Sequence, residues 1–174
     1  VNAANLDFLA AGESISLTYT VTITDNAGAT HSDTVTVTIN GTNDAPEITA
    51  GIADFAFSEA ANAAAQNLSS SGSLSFTDVD TTNVIDVSYA LSNAATWSTG
   101  EPLSDSLANL LAGGFSIAGN GLAAPGSVNW SYNVNAANLD FLAAGESISL
   151  TYTVTITDNA GATDTDTVTV TING

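Results

Sequence analysis

Apolar and polar residues alternate with a period of two through the first forty positions. Ile15, Leu17, Tyr19, Val21 and Ile23 are interleaved with Ser16, Thr18, Thr20, Thr22 and Thr24, the pattern of a strand with one buried and one wet face. Asp25-Asn26-Ala27-Gly28 supplies turn residues, and Val35, Val37 and Ile39 resume the alternation, which predicts a hairpin. The same text returns downstream. Residues 134–174 repeat residues 1–41 with two changes, His31 to Asp164 and Ser32 to Thr165. The offset, 134 − 1 = 133 residues, is the length of one domain, and the second hairpin is expected from Ile148 to Ile172.

Between the two copies, strands are expected at Ile52–Phe57, Leu74–Thr77, Val84–Leu91, Phe115–Ile117 and Val128–Val134. Asp105–Ala112 sets Leu107, Leu110 and Leu111 at helical spacing and predicts one short helix. Several short strands of this kind in one repeat imply an all-β fold, a sandwich of two sheets. Trp130 and Tyr132 lie on one face of their strand and are expected in the core, as is Trp97.

The repeat sets the expected domain organisation. Residues 1–41 are read as the C-terminal part of a preceding repeat, its closing hairpin, and residues 42–174 as one complete repeat. A lone hairpin cannot bury its apolar face. Strand exchange between chains leaves a surplus, since each chain carries two closing hairpins and one 42–133 portion. A window cut from a longer tandem array is the simpler expectation.

Composition narrows the function classes. The 174 residues include 18 Asp plus Glu, no Lys or Arg, one His and no Cys, for a formal charge of −18. Without cations the chain cannot neutralise phosphates, so nucleic acid is excluded as a primary partner, and so is a polybasic contact with anionic lipid. No apolar run approaches the ~18 residues of a membrane span, so no direct membrane insertion is expected. Disulfides and thiolate metal sites are excluded. His31-Ser32-Asp33 does not make a catalytic relay, because adjacent strand residues point to opposite faces, and the second copy reads Asp164-Thr165-Asp166. No cleft for a glycosidase-type carboxylate pair is legible. The expectation is a protein that is not an enzyme.

The carboxylates and amides fall at strand ends and in connections. Asn43 and Asp44 stand in the connection Asn40–Pro46; Asp78, Asp80 and Asn83 stand in Thr77-Asp78-Val79-Asp80-Thr81-Thr82-Asn83; Asp158 ends the strand Thr151–Thr157. Asp7 and Glu13 precede the first hairpin, and Asp140 and Glu146 the second. Asp33, Asp164 and Asp166 sit on strands and are expected as solubilising charges. Oxygen ligands without His or Cys favour Ca²⁺ over transition metals, and clustered carboxylates in a chain without Lys or Arg call for a divalent counter-charge. An EF-hand reading fails, since counting from Asp78 puts Asn83 where Gly is wanted and Tyr89 where Glu is wanted.

Four motifs carry a resemblance. TDVDTTNVIDVSYAL resembles the cadherin segment with D-x-D and a following Asn, GTNDAPEI the inter-domain linker, FSEAAN the segment with an early glutamate (Glu59), and YTVTITDNAGA the strand ending at a further calcium-ligating Asp. Over the whole 133-residue period the chain resembles the VCBS, or cadherin-like, repeat of giant bacterial RTX-type adhesins. That resemblance implies an Ig/cadherin-like Greek-key sandwich in tandem repeat, with Ca²⁺ at each junction. It implies Asn43, Asp44, Asp78, Asp80, Asn83, Asp158, Asp7 and Glu13 at a central junction. It also implies Glu59, Asp140 and Glu146 at the following junction, and Asp25 at the preceding one. The chain departs from cadherins at Gly41, where the linker has Asp, and at Leu9 and Leu142, where a Glu is usual, so fewer ions per junction are expected. The implied role is an extender repeat of a secreted adhesin at the bacterial cell surface, in adhesion and biofilm formation. Its implied partners are adjacent repeats of the same chain, with other copies of the array as a further candidate. The rival expectation is a module whose outward Thr rows themselves bind glycan, ice or another copy, or a self-associating filament subunit.

Overall fold

The computed structural model describes residues 6–61 and 64–174. In chain order its elements are β1 (Ser14–Thr24), β2 (Thr30–Asn40), β3 (Glu47–Ala50), β4 (Phe55–Ser58), β5 (Gln66–Thr77), β6 (Val84–Trp97), α1 (Asp105–Ala112), β7 (Phe115–Ile117), β8 (Gly119–Ala123), β9 (Gly126–Ala137), β10 (Ser147–Asp158) and β11 (Thr163–Asn173). The repeated alternation yields two hairpins in one register. Ser14 pairs with Asn40 through to Thr24 with Thr30, and Ser147 with Asn173 through to Thr157 with Thr163. The short helix and β7 lie at their expected bounds. Ser104 caps α1, its hydroxyl accepting the Leu107 N–H.

One compact unit ends at Asp44 and takes in Val79–Thr82; the other comprises Ala45–Asp78 and Asn83–Gly174. The second unit is a two-sheet β-sandwich, as expected. One sheet has the order β4-β11-β10-β6-β8 and the other β3-β5-β9-β7. The chain changes sheet at every connection from β3 to β10, so sequential strands share the core from opposite sides. The inner faces bring together Leu74, Phe76, Ile85, Phe115, Tyr132, Val134, Leu150, Tyr152, Ile156 and Val168, all at most 2% exposed. Phe115 stacks on Tyr152 at 4.7 Å between ring centroids and on Trp130 at 6.1 Å. Trp130 and Tyr132 are core anchors as their spacing predicts; Trp97 is half-buried and meets Phe141 edge-on at 4.8 Å.

Two tyrosine hydroxyls inside this core have carbonyl partners. Tyr132 Oη donates to Leu111 O at 3.0 Å, and Tyr152 Oη donates to Ala112 O at 2.9 Å and to Leu111 O at 3.2 Å. The last carbonyls of α1, which have no partner within a helix, are thereby satisfied by the sandwich beneath them. Burial pushes both phenols up, Tyr152 to about 12 and Tyr132 further, with the neighbouring tyrosines adding to the effect.

Several elements differ from expectation, among them β6, which runs on to Trp97 past the expected Leu91. The strand expected over Ile52–Phe57 is strand only from Phe55, as β4, and a strand that was not expected, β3, precedes it; between them the chain passes from one sheet to the other. That passage is fastened by carboxylates of β11: Ile48 N–H donates to Asp164 Oδ2 and Ile52 N–H to Asp166 Oδ2, each at 2.8 Å. Thr169 N–H in turn donates to Asp54 Oδ1 at 2.7 Å. Asp164 and Asp166 are therefore structural acceptors and not merely solubilising charges. Gly51 stands beside them, where a Cβ would collide with the Asp166 carboxylate and displace it from Ile52 N–H. The strand β8 was not expected, because Gly119-Asn120-Gly121 shows no alternation; pairing with β6 and a 2.7 Å bond from Gly121 N–H to Asp86 Oδ1 hold it. Finally, β5 begins earlier than Leu74, since Ser69–Ser73 pairs with β9 without contributing core residues.

Candidate metal centre

In the sandwich unit, β5 ends at Thr77, β6 starts at Val84 and β10 ends at Asp158. The register places Asp158 opposite Ile85, and Val84 N–H donates to Asn159 Oδ1 at 3.1 Å, so Asp78, Asn83 and Asp158 share one end of the sandwich. All are buried: Asp78 is 7% exposed, Asn83 4% and Asp158 5%. Asp158 Oδ1 accepts the N–H groups of Ala160 and Ala162, each at 2.8 Å. This turn orients the carboxylate. Asp25 builds the same turn in the first hairpin, accepting from Ala27 and Ala29 at 2.9 and 2.8 Å, but is exposed.

In the other unit, Asp80 is fully buried and its Oδ2 accepts the Asp44 N–H at 2.8 Å. Asn43 is half-buried, with its side-chain amide donating to Asp44 O at 2.9 Å, and the Asp44 side chain is exposed. Asp7 is exposed. Glu13 is half-buried and braces its own turn, Oε2 accepting Ala10 N–H at 3.0 Å. Glu146 does the same in the second copy, accepting Ala143 N–H at 3.1 Å and also Trp97 Nε1–H at 3.1 Å. Asp140 is exposed, and Glu59 is half-buried where its N–H donates to Asn173 O at 2.7 Å.

Four polar side chains thus stand out by burial: Asp78, Asp80, Asn83 and Asp158. Dehydrating carboxylates is costly, and this chain has no Lys or Arg to offset it. Among the described residues no group of three or more His, Cys, Asp or Glu could hold a metal ion by such side chains alone. The three carboxylates and the Asn83 amide offer oxygen donors, the class of ligand that Ca²⁺ takes. The donors are all oxygen, and the buried Asn supplies a neutral one. What the sequence missed are Asp54, Asp86, Asp164 and Asp166, whose oxygens serve backbone N–H groups. For Asp164 alone the repeat held a signal, since the first copy has His31 at that position.

No family model matches the chain, and no curated protein does. Among solved structures the chain is similar to a mutant of the CFA/I adhesin CfaE from enterotoxigenic E. coli. That likeness has 13% identity and a TM-score of 0.48 over 99% of this chain and 60% of that one. It is also similar to the cadherin-like domains 1 to 4 of zebrafish RET, with 11% identity and a TM-score of 0.30 over 93% of this chain and 34% of that one. The chain spans less than two thirds of either protein, and likenesses at this level carry no argument about function. Among the described residues no helix is long and apolar enough to cross a membrane.

Proposed function

We propose that this chain is a structural segment of an extracellular bacterial adhesin, a cadherin-like repeat that spaces a distal binding module from the cell, with Ca²⁺ stiffening the connection between repeats. The observation that carries this reading is the burial of Asp78, Asp80 and Asp158 together with Asn83 in a chain without Lys or Arg. On this reading these four residues hold the ion, with Asn43 and Asp44 contributing oxygens from the connection. Glu13 and Glu146 serve as turn braces first. Residues 1–41 close a preceding repeat and residues 42–174 form the next. An ion that binds the ordered connection and not the unfolded chain stabilises it by mass action, by about 2.7 kcal/mol at a hundredfold excess over Kd. The role is mechanical; chemistry at a reacting bond is not part of it.

The test is small-angle scattering of three consecutive repeats at ~5 mM Ca²⁺, a concentration suited to weak extracellular sites, and again with EGTA. A long, stiff particle that shortens and loosens on chelation supports the reading. An unchanged profile removes calcium from it. A second reading, in which the Thr rows bind a regular surface, draws on the cross-strand hydroxyl pairs Thr18–Thr36 at 3.1 Å and Thr22–Ser32 at 2.8 Å. Thr20→Lys with Thr22→Lys abolishes surface binding if that reading holds, and leaves the calcium response of a spacer intact.

A further inference from the structure

The strand β6 is paired along one edge throughout and along the other for only part of its length. β10 pairs with it from Ile85 to Trp97, whereas β8 pairs with it only at Val84, Ile85 and Val87. Beyond Val87 this second edge has no ladder partner among the described residues. Residues 88–94 are exposed without a break, on both faces of the sheet. Tyr89 and Leu91 continue the inward row of Ile85 and Val87, yet they are 42% and 40% exposed where no strand lies beside them. The edge belongs to the part of the chain that occurs once, and both strands flanking it, β10 and β8, are in place.

A free edge is a template for pairing, which proteins ordinarily block with charge, brevity or a bulge. The other free edges of this sandwich are blocked in those ways. β3 carries Glu47, β4 lies between Asp54 and Glu59, and the stretch of β11 beyond β4 holds Asp164 and Asp166. β7 has three residues, and β8 is kinked at Gly121, where φ is 62°. The open stretch of β5 presents only serine and glycine between Leu68 and Leu74. β6 differs from all of them: residues 88–97 contain no Asp, Glu or Pro and expose two large apolar side chains.

We propose that this edge of β6 pairs antiparallel with the same edge of a second copy of the chain, about a two-fold axis crossing the sheet at Ser92. Charge selects the occupant. A chain of formal charge −18 repels its own copies over most of its surface, and an uncharged strand is where two copies meet without carboxylates opposed. The same lack of charge gives the edge nothing with which to choose a cationic partner. A two-fold perpendicular to the sheet keeps both inner faces on one side, so the strand of each copy covers Tyr89 and Leu91 of the other. It sets Ser88 opposite Thr96 and Ala90 opposite Ala94 of the second copy. Trp97, the last residue of β6, comes level with Val87, where β8 takes over. The contact adds lateral association between copies to the spacer reading and does not involve calcium.

The chain has no Cys, so single cysteines placed in the full chain report the pairing directly. Under mild oxidation Ser92→Cys is expected to form a disulfide-linked dimer with itself, since residues at the two-fold lie within disulfide reach. Ser88→Cys and Thr96→Cys should link to each other when mixed and not each to itself, because like positions are then about 26 Å apart. Equal homotypic yields at all three positions, or none at Ser92, overturn the proposal. Sedimentation of the unsubstituted chain should show a monomer–dimer equilibrium that NaCl strengthens by screening the remaining charge. Ala90→Asp with Ala94→Asp opposes carboxylates across the two-fold and should weaken the dimer several-fold, and Ala90→Lys with Ala94→Asp should restore it. Both alanines are exposed, and the near-ultraviolet signal of Trp130 and Tyr132 checks that each variant is folded. A monomer at every concentration, a dimer that the Asp pair leaves unchanged, or no recovery in the Lys/Asp variant overturns the proposal.

Discussion

At the residue scale, stability depends on polar atoms that the sandwich buries with partners. Removing the Tyr152 hydroxyl leaves Ala112 O without its 2.9 Å donor, so Tyr152→Phe is expected to cost about 1–2 kcal/mol in urea unfolding. The same residue gives a pH dependence. Its folded-state value is raised to about 12 from 10.0, so the unfolded chain loses this proton first. Its contribution is complete below pH 10 and is lost as pH rises through about 12; Tyr152→Phe should flatten the decline of Tm over that window. Asp166→Ala strands the Ile52 N–H and is expected to cost about 1–3 kcal/mol. Tyr132 and Tyr152 were legible as core residues from strand alternation. Their carbonyl partners were not, because Leu111 and Ala112 lie 21 and 40 residues away in the chain. The same distance hid Asp164 and Asp166, whose donors are 116 and 114 residues away.

At the scale of elements, the duplicated hairpin is an internal control. Ile156 is 0% exposed and Ile23 67%, although both stand at the same place in the same sequence. Ile156→Ala is therefore expected to destabilise by about 2–5 kcal/mol, and Ile23→Ala to change unfolding by no more than about 0.5 kcal/mol. Equal effects would show that the first hairpin is also covered in solution. Strong alternation made β1, β2, β10 and β11 legible, and leucine spacing did so for α1. β3 was missed and β4 was started too early, because apolar Ile52 reads as the first residue of a strand although it lies in the passage between the two. Its cause is tertiary: Gly51 and Ile52 turn about the Asp166 carboxylate. β8 was hidden for the opposite reason. Its glycines carry no pattern, and only pairing with β6 makes them a strand.

At the scale of the whole molecule, charge dominates. With a formal charge of −18 and no Lys or Arg, cations should stabilise the fold in two distinguishable ways. Monovalent salt screens surface repulsion. On the proposed reading, millimolar Ca²⁺ raises Tm beyond an ionic-strength-matched NaCl control, and Asp80→Asn with Asp158→Asn removes that excess. A calcium effect no larger than the control would leave only screening. The sequence by itself determined the repeat and its period, the all-β class, the faces of the strands and the absence of any internal Lys or Arg partner for the carboxylates. These follow from local periodicity and composition, which need no knowledge of distant neighbours. Only the tertiary structure decided which carboxylates are dehydrated and which fasten backbone N–H groups. Burial is a property of what packs against a residue, and identical residues have no means of encoding it alone.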